Sequence, residues 1–275
     1  MPELPEVEHV SNELQKLVAG RRIEMAELRR ARLAPDTDAD TFSNKLARGV
    51  INFVHRRGKH ILIDLDNSNT LIVHLRMSGR FMLLTPDDDD PKFTHAVFHL
   101  AGQHRLVFQG QRHFGLMKIV ETTKLFEAKE LSKLAPEPFS SDFSQLYFRQ
   151  ILKTSNRVLK EVLLDQTKVC GVGNIYASEA MFLAGISPRR RAKNVPASRV
   201  GPLFESIKAV LSEAIEAQSS ITPDPVIIGE GVYGVADARW RVYDRENEPC
   251  PNCSTPIQRI RQGARSTYFC KKCQR

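Results

Sequence analysis

Between residues 3 and 19 the apolar residues recur at helical spacing. Val7, Val10, Leu14, Leu17 and Val18 fall on one face, and Pro5 suits a first turn, so the pattern predicts a helix. From about residue 21 to 120 the period changes. VINFVHRRGKHILIDLD (50–66), NTLIVHLRMSGRFMLL (69–84), AVFHLAGQHRLVFQG (96–110) and FGLMKIV (114–120) read as strands or hairpins. Many short strands at this spacing predict a sandwich or a barrel. Asp87 to Asp90, between Pro86 and Pro91, read as a solvated loop. The Pro-rich LAPEPF (134–139) reads as a linker. Helical spacing follows, with helices expected near 144–153, 156–164, 173–184 and 196–218, and the Pro- and Gly-rich 219–239 as a loop.

This layout predicts a multi-domain α+β chain: a β-rich domain over 1–133, a linker over 134–140, a helical domain over 141–239 and a small module over 240–275. The N-terminus is acidic, with no apolar run of signal-peptide type. No stretch has the ~20 apolar residues of a membrane span. The expected location is therefore the cytoplasm, nucleoid included, with no membrane partner. Nothing suggests a dimer interface, so a monomer is expected.

The formal charge is +8, with pI near 9.3. Much of the excess is local. From Trp240 to Arg275 there are 8 basic residues and 3 acidic ones. A basic surface raises the encounter rate with polyanions.

Four of the five cysteines lie in that same module. Cys250-Pro-Asn-Cys253 and Cys270-Lys-Lys-Cys273 are two CxxC pairs separated by 16 residues. Two such pairs suit one tetrahedral ion, and this spacing favours structural zinc over two disulfides or free thiols. Thr255 to Phe269 can form a hairpin between the pairs, with Arg265 near its tip. Cys170 stands apart in an apolar, helical-looking stretch and reads as a core residue.

Pro2-Glu3-Leu4-Pro5-Glu6 places proline directly after Met1. If Met1 is removed, Pro2 carries a secondary amine, and α-amino groups titrate near ~7.7–8.0, well below lysine. Such an amine can attack a sugar carbon and hold it as an iminium, with Glu3 moving protons. Read alone, the segment is more simply a first turn of helix.

Together these pieces resemble the formamidopyrimidine-DNA glycosylase family, within the wider Fpg/Nei superfamily, along the whole chain. PELPEVE (2–8) resembles its catalytic N-terminus, and RRGKHIL (56–62) its lysine-bearing hairpin, with Lys59 as that lysine. HLRMSG (74–79) and QRHFG (111–115) are similar to its two void-filling loops. LLDQTKVCGVGNIYASEA (163–180) resembles the helix-two-turns-helix motif, and PCPNC through GARSTYFCKKCQ the zinc finger. The resemblance implies an N-terminal β-sandwich with a flanking helix, then a helix-two-turns-helix domain with a lesion-capping loop in 219–239, then a zinc-finger β-hairpin.

It also implies an enzyme of base-excision repair. Such an enzyme flips an oxidised purine out of duplex DNA, removes it, and cuts the strand by β,δ-elimination. Pro2, Glu3, Lys59 and Arg265 would be catalytic, with Glu6 and Glu179 supporting. Lys59, His74, Asn174, Tyr243 and Arg265 would grip phosphates, and Met77, Arg112 and Phe114 would fill the void. Cys250, Cys253, Cys270 and Cys273 would hold one zinc ion, the only cofactor. One loop departs from the family pattern. Gly110-Gln111 stand where Asp-Pro is usual, and His113 where a second basic residue is common. That departure bears on recognition of the opposite base. Two rival readings are the endonuclease VIII branch, acting on oxidised pyrimidines, and a non-catalytic damaged-DNA-binding zinc protein. Leu4 and the two loops favour the purine branch over the first. Pro2, Glu3 and Lys59 argue against the second.

Overall fold

In a computed structural model, the structure describes residues 1–219, 226–228 and 240–275. They divide into two compact units. One holds Met1–Ser132 with 218–219 and 226–228; the other holds Lys133–Ala217 with 240–275.

The first unit begins with helix α1 (Leu4–Val18). Eight strands follow: β1 (Ile23–Leu28), β2 (Ile51–Arg57), β3 (His60–Leu65), β4 (Asn69–His74), β5 (Gly79–Leu84), β6 (Thr94–Leu100), β7 (Arg105–Gly110) and β8 (Leu116–Glu121). They form two antiparallel sheets. One has the order β2-β3-β4-β8, the other β1-β6-β7-β5, extended at the edge by β9 (Ile227–Ile228). Side chains from both sheets share one core, including Ile51, Ile63 and Leu71 from the first and Phe81, Phe98 and Phe108 from the second. This is the expected sandwich, in which apolar faces of two sheets close on each other.

Helix α1 adds Val7, Val10, Leu14 and Val18 to that core. Its polar side is tied to β2: Gln15 Oε1 accepts from Val54 N at 2.6 Å, and Arg56 Nε donates to Glu8. Helix α2 (Ala39–Leu46) was not expected, because the β-like stretches around it dominate the pattern. Its signal is short but present. Asp38 caps it by accepting from Thr41 N, and Phe42 and Leu46, one turn apart, are fully buried. Ile227 and Ile228 pair with Met82 and Phe81, so this part of the expected 219–239 loop is a strand. Helix also continues to Ser219. The expected lesion-capping loop otherwise lies outside the described residues.

The second unit holds α3 (Gln145–Lys153), α4 (Leu159–Leu164), α5 (Asn174–Leu183) and most of α6 (Ala197–Ser219). Helix α4 starts at Leu159, later than expected, after Val158 bridges to Arg191. LAPEPF is anchored in this unit, since Ala135 N donates to Gln166 O at 2.9 Å. Cys170 is buried as expected but is not helical. It lies in the turns between α4 and α5, where its thiol faces Glu137 Oε1 at 3.8 Å. Strands β10 (Gln258–Gln262) and β11 (Arg265–Phe269) form the C-terminal hairpin. Among the described residues no helix is long and apolar enough to cross a membrane.

Candidate functional site

The residues singled out by sequence fall in two sets, one in each unit. In the first unit, strand register gathers them at one end of the sandwich. Gly79, which opens β5, pairs with Gly110, which closes β7. His74, which closes β4, pairs with Leu116, which opens β8. The 75–78 and 111–115 loops therefore leave the same edge.

The loops are joined to each other. Arg112 N donates to Ser78 Oγ at 2.9 Å, and the Arg112 guanidinium lies 5.7 Å from the centre of the Phe114 ring. Both loops close on the buried Phe108 ring through a glycine. A Cβ on Gly79 would stand 2.7 Å from Phe108 Cζ, and one on Gly115 2.6 Å from its Cε1. Only a residue without a side chain fits at either place. Above that platform Met77 is 41% exposed and Phe114 57%. Large apolar side chains this exposed are not core, which removes ordinary packing as their explanation.

Lys59 lies in the turn between β2 and β3, beside His60. The ring of His60 meets that of His74 edge to face at 4.7 Å. His74 Nδ1 accepts from Arg76 N at 3.0 Å. Burial, then the neighbouring His60, Arg76 and Lys59 charges, push its pKa down to about 2. The imidazole is thus neutral, with Nε2–H left as its donor.

The start of α1 lies at this same end. Its contacts run from Gln15–Val54 to Glu8–Arg56, so the helix runs back towards its beginning as β2 runs forward to the Lys59 turn. Glu6 Oε2 accepts from Glu3 N at 2.7 Å, and Glu6 Oε1 accepts from Gln218 Nε2 at 3.0 Å. Glu6 therefore fixes the backbone at Glu3, one residue from Pro2. Glu3 is itself buried, 3% exposed. Gln218 had no sequence signal, because it comes from a distant helix.

In the second unit the buried Glu179 carboxylate takes three backbone N–H groups. Oε2 accepts from Arg241 at 2.8 Å, and Oε1 from Val242 and Tyr243, each at 2.9 Å. Glu179 thus holds the segment that carries Tyr243. The Tyr243 ring meets Tyr268 at 5.3 Å. Asn174 is the first residue of α5, after the turn at Gly171, whose φ is 78° and whose N–H donates to Gln166 Oε1 at 3.0 Å. A helix N-terminus of this kind suits an anion.

Arg265 opens β11 and is exposed, opposite Gln262 across the hairpin turn. Two donors fix the chain just beyond it: Asn174 Nδ2 and Lys160 Nζ both donate to Ser266 O, at 3.1 and 3.0 Å. Lys160 Nζ also donates to Thr267 Oγ1 at 2.7 Å. Lys160 is 1% exposed and was not foreseen. A lysine in a helical stretch reads as a solvated face until its distant partner is known.

The four cysteines converge. Their sulfurs all lie within 4.8 Å of one another, with Cys250 to Cys273 at 3.8 Å and Cys253 to Cys270 at 3.5 Å. Thiolates at ~2.3 Å from a tetrahedral zinc ion stand about 3.8 Å apart, so the set fits one such ion. All four shell positions are then sulfur, which makes the ion structural. Gln274 holds the second pair in place, accepting from Cys270 N at 2.9 Å and donating to Ile186 O at 3.0 Å.

These elements define a two-unit α+β protein with a sandwich, a helix-two-turns-helix module and a four-cysteine zinc finger. Family models match in three stretches: the formamidopyrimidine-DNA glycosylase N-terminal domain over 1–117, the formamidopyrimidine-DNA glycosylase H2TH domain over 134–225, and a zinc finger found in FPG and IleRS over 247–275. The formamidopyrimidine-DNA glycosylase of Listeria innocua is 38% identical, and that of Ruegeria pomeroyi 41%, each over 100% of both chains. The Lactococcus lactis Fpg, solved in complex with abasic-site DNA, is 33% identical with a TM-score of 0.91 over 99% of both chains. The same protein bound to N7-benzyl-Fapy-dG DNA matches at a TM-score of 0.91, 33% identity and 99% coverage of each chain. This chain belongs to the formamidopyrimidine-DNA glycosylase family.

Proposed function

We propose that the protein is a base-excision-repair DNA glycosylase and abasic-site lyase acting on oxidised purines, 8-oxoguanine and formamidopyrimidines, in duplex DNA. The observation that carries this is the gathering of Pro2, Glu3, Lys59, His74, Met77, Arg112 and Phe114 at one end of the sandwich. The relatives' names and their DNA complexes support the substrate class.

The DNA bends and the damaged nucleotide leaves the stack. Met77 and Phe114 enter the gap, and Arg112 bonds to the orphaned base. Pro2, freed by removal of Met1, attacks C1′ with its secondary amine. The bond from C1′ to the base breaks, and Glu3 supplies a proton as the sugar ring opens. The iminium acidifies the C2′ proton. Its loss expels the 3′ phosphate, a second elimination expels the 5′ phosphate, and water hydrolyses the iminium, so the sugar remnant leaves as an aldehyde, Pro2 is freed and a gap with phosphate ends remains. Lys59 lies at the end where these protons move and is the nearby amine that assists, with Arg265 contributing from the zinc finger. His74 gives an Nε2–H to a phosphate, and Asn174, Tyr243 and Arg265 give further contacts. Glu6 and Glu179 act as supports, through Glu3 and through the Tyr243 segment. Bound zinc supplies rigidity to the hairpin that carries Arg265. The protein works as a monomer in the cytoplasm, on the nucleoid.

The test is product analysis on a duplex with one 8-oxoguanine opposite cytosine. The expected result is base release with phosphate at both ends of the gap, absent in Pro2→Gly. Cleavage confined to oxidised pyrimidines would move the protein to the endonuclease VIII branch. Tight binding without excision on any lesion would leave a damage-binding protein.

A further inference from the structure

The loop that carries Arg112 and Phe114 is held by the residue between them. His113 is exposed like its two neighbours, but its ring has a partner in β6. Its Nδ1 lies 2.9 Å from Nε2 of His95, a β6 residue only 3% exposed. The two rings stack at 5.1 Å with 22° between their planes, and Phe93 closes on His113 edge-on at 5.5 Å. His113 has φ 59°, a left-handed conformation that a non-glycine residue keeps only where its surroundings enforce it.

Gly110 belongs to the same device. A Cβ there would stand 3.3 Å from His95 Cε1 and 3.4 Å from its Nδ1, close enough to press the ring by a few tenths of an ångström. The backbone agrees: Gly110 N donates to Phe93 O at 3.1 Å, and His113 N to Gly110 O at 3.0 Å. The two departures from the family pattern, at Gly110 and at His113, therefore meet on one ring, that of His95.

We propose that His113, clamped by His95, is a positioning residue that sets the reach of Arg112 and Phe114, and so sets how strictly the enzyme discriminates the base opposite the lesion. This rests on the glycosylase reading above. His113 does not touch the reacting atoms; it acts through Arg112. The contact needs one nitrogen to donate and the other to accept, so it fails when both rings are protonated. The charged groups that face His95 are His113 and Arg30; Phe108 and Gly110 meet it from β7. Burial, then those two charges, holds the His95 imidazole below its usual pKa, which keeps the contact intact near neutrality.

The experiment compares the full chain with His113→Ala and His113→Gln. It measures 8-oxoguanine excision opposite cytosine and opposite adenine, together with cleavage of a preformed abasic duplex. In His113→Ala the cytosine-to-adenine ratio of kcat/KM should fall about tenfold, the size of one lost base contact, while abasic cleavage stays within about twofold. His113→Gln, which still reaches His95 with a hydrogen-bonding group, should restore most of the ratio. An unchanged ratio in His113→Ala overturns the inference alone. A parallel fall in abasic cleavage also overturns it, because the loop then serves general DNA binding. A wild type that neither excises nor cleaves overturns the glycosylase reading, and this inference with it.

Discussion

The sandwich end and the cysteine hairpin both present exposed arginines, but different forces hold them. The Arg112 loop stands on a hydrophobic core that it reaches through two glycines and the Phe108 ring. The Arg265 hairpin has a small core of its own, chiefly Phe182, Val242, Ile257 and Tyr268 beside the cysteines. Its remaining support is four sulfurs and a few buried polar contacts, notably those of Lys160 and Gln274. A core of that size cannot fix a loop, so coordination and hydrogen bonding replace hydrophobic area. Rigidity at an exposed, arginine-bearing loop thus comes either from packing or from ligation. Each fails under a different insult.

Removing the metal should break the comparison most sharply. Structural zinc sites of this type contribute on the order of 10 kcal/mol to local folding. Chelation, or Cys270→Ser, should release one zinc per chain by elemental analysis and lower DNA affinity by about 100-fold or more. Met1–Ser132 hold no tyrosine or tryptophan, so the sandwich is followed by its far-ultraviolet β-sheet circular dichroism, which should persist.

Acid should strike the sandwich end instead. His60 is pushed down to about 4 by burial, and His74 further. Both are neutral when folded, whereas the unfolded chain takes up protons from ~6.5 downward. Stability is therefore full above about pH 6.5 and falls as the pH drops towards 4, by about 3 kcal/mol from His60 alone. Guanidinium denaturation followed between pH 7.5 and 4.5 should show this slope, and His60→Gln should remove about half of it, with His74 supplying the rest.

A smaller effect is expected from Lys160→Met. It takes the lysine donor from Thr267 Oγ1 and leaves Ser266 O with Asn174 alone, at a cost of about 2 kcal/mol. The loss should appear in denaturation and in weaker DNA binding, with proline-dependent cleavage of bound substrate retained. The smallest is Gly115→Ala, about 1–2 kcal/mol from overpacking against Phe108, with the damage confined to lesion excision.

Legibility differed between the regions for the same physical reasons. The cysteine site could be read from spacing, because two CxxC pairs carry their own geometry. The strands of the sandwich were legible as apolar runs, and α1 as a stripe. Helix α2 was not, since its burial rests on Phe42 and Leu46 alone. The candidate residues of the sandwich end were named through resemblance. From composition, Met77 and Phe114 read as core, and only their exposure says otherwise. Lys160, Gln218 and His95 were illegible because each acts on a partner far along the chain, 107, 212 and 18 residues away respectively.

The proposed chemistry turns on Pro2 as the nucleophile. The direct measurement is borohydride trapping on 8-oxoguanine duplex, followed by peptide mapping of the protein–DNA adduct. A form that retains Met1 runs alongside. One adduct is expected, on the Pro2 nitrogen, and none when Met1 is retained. An adduct on Lys59 or another lysine, undiminished in Pro2→Gly, would contradict it.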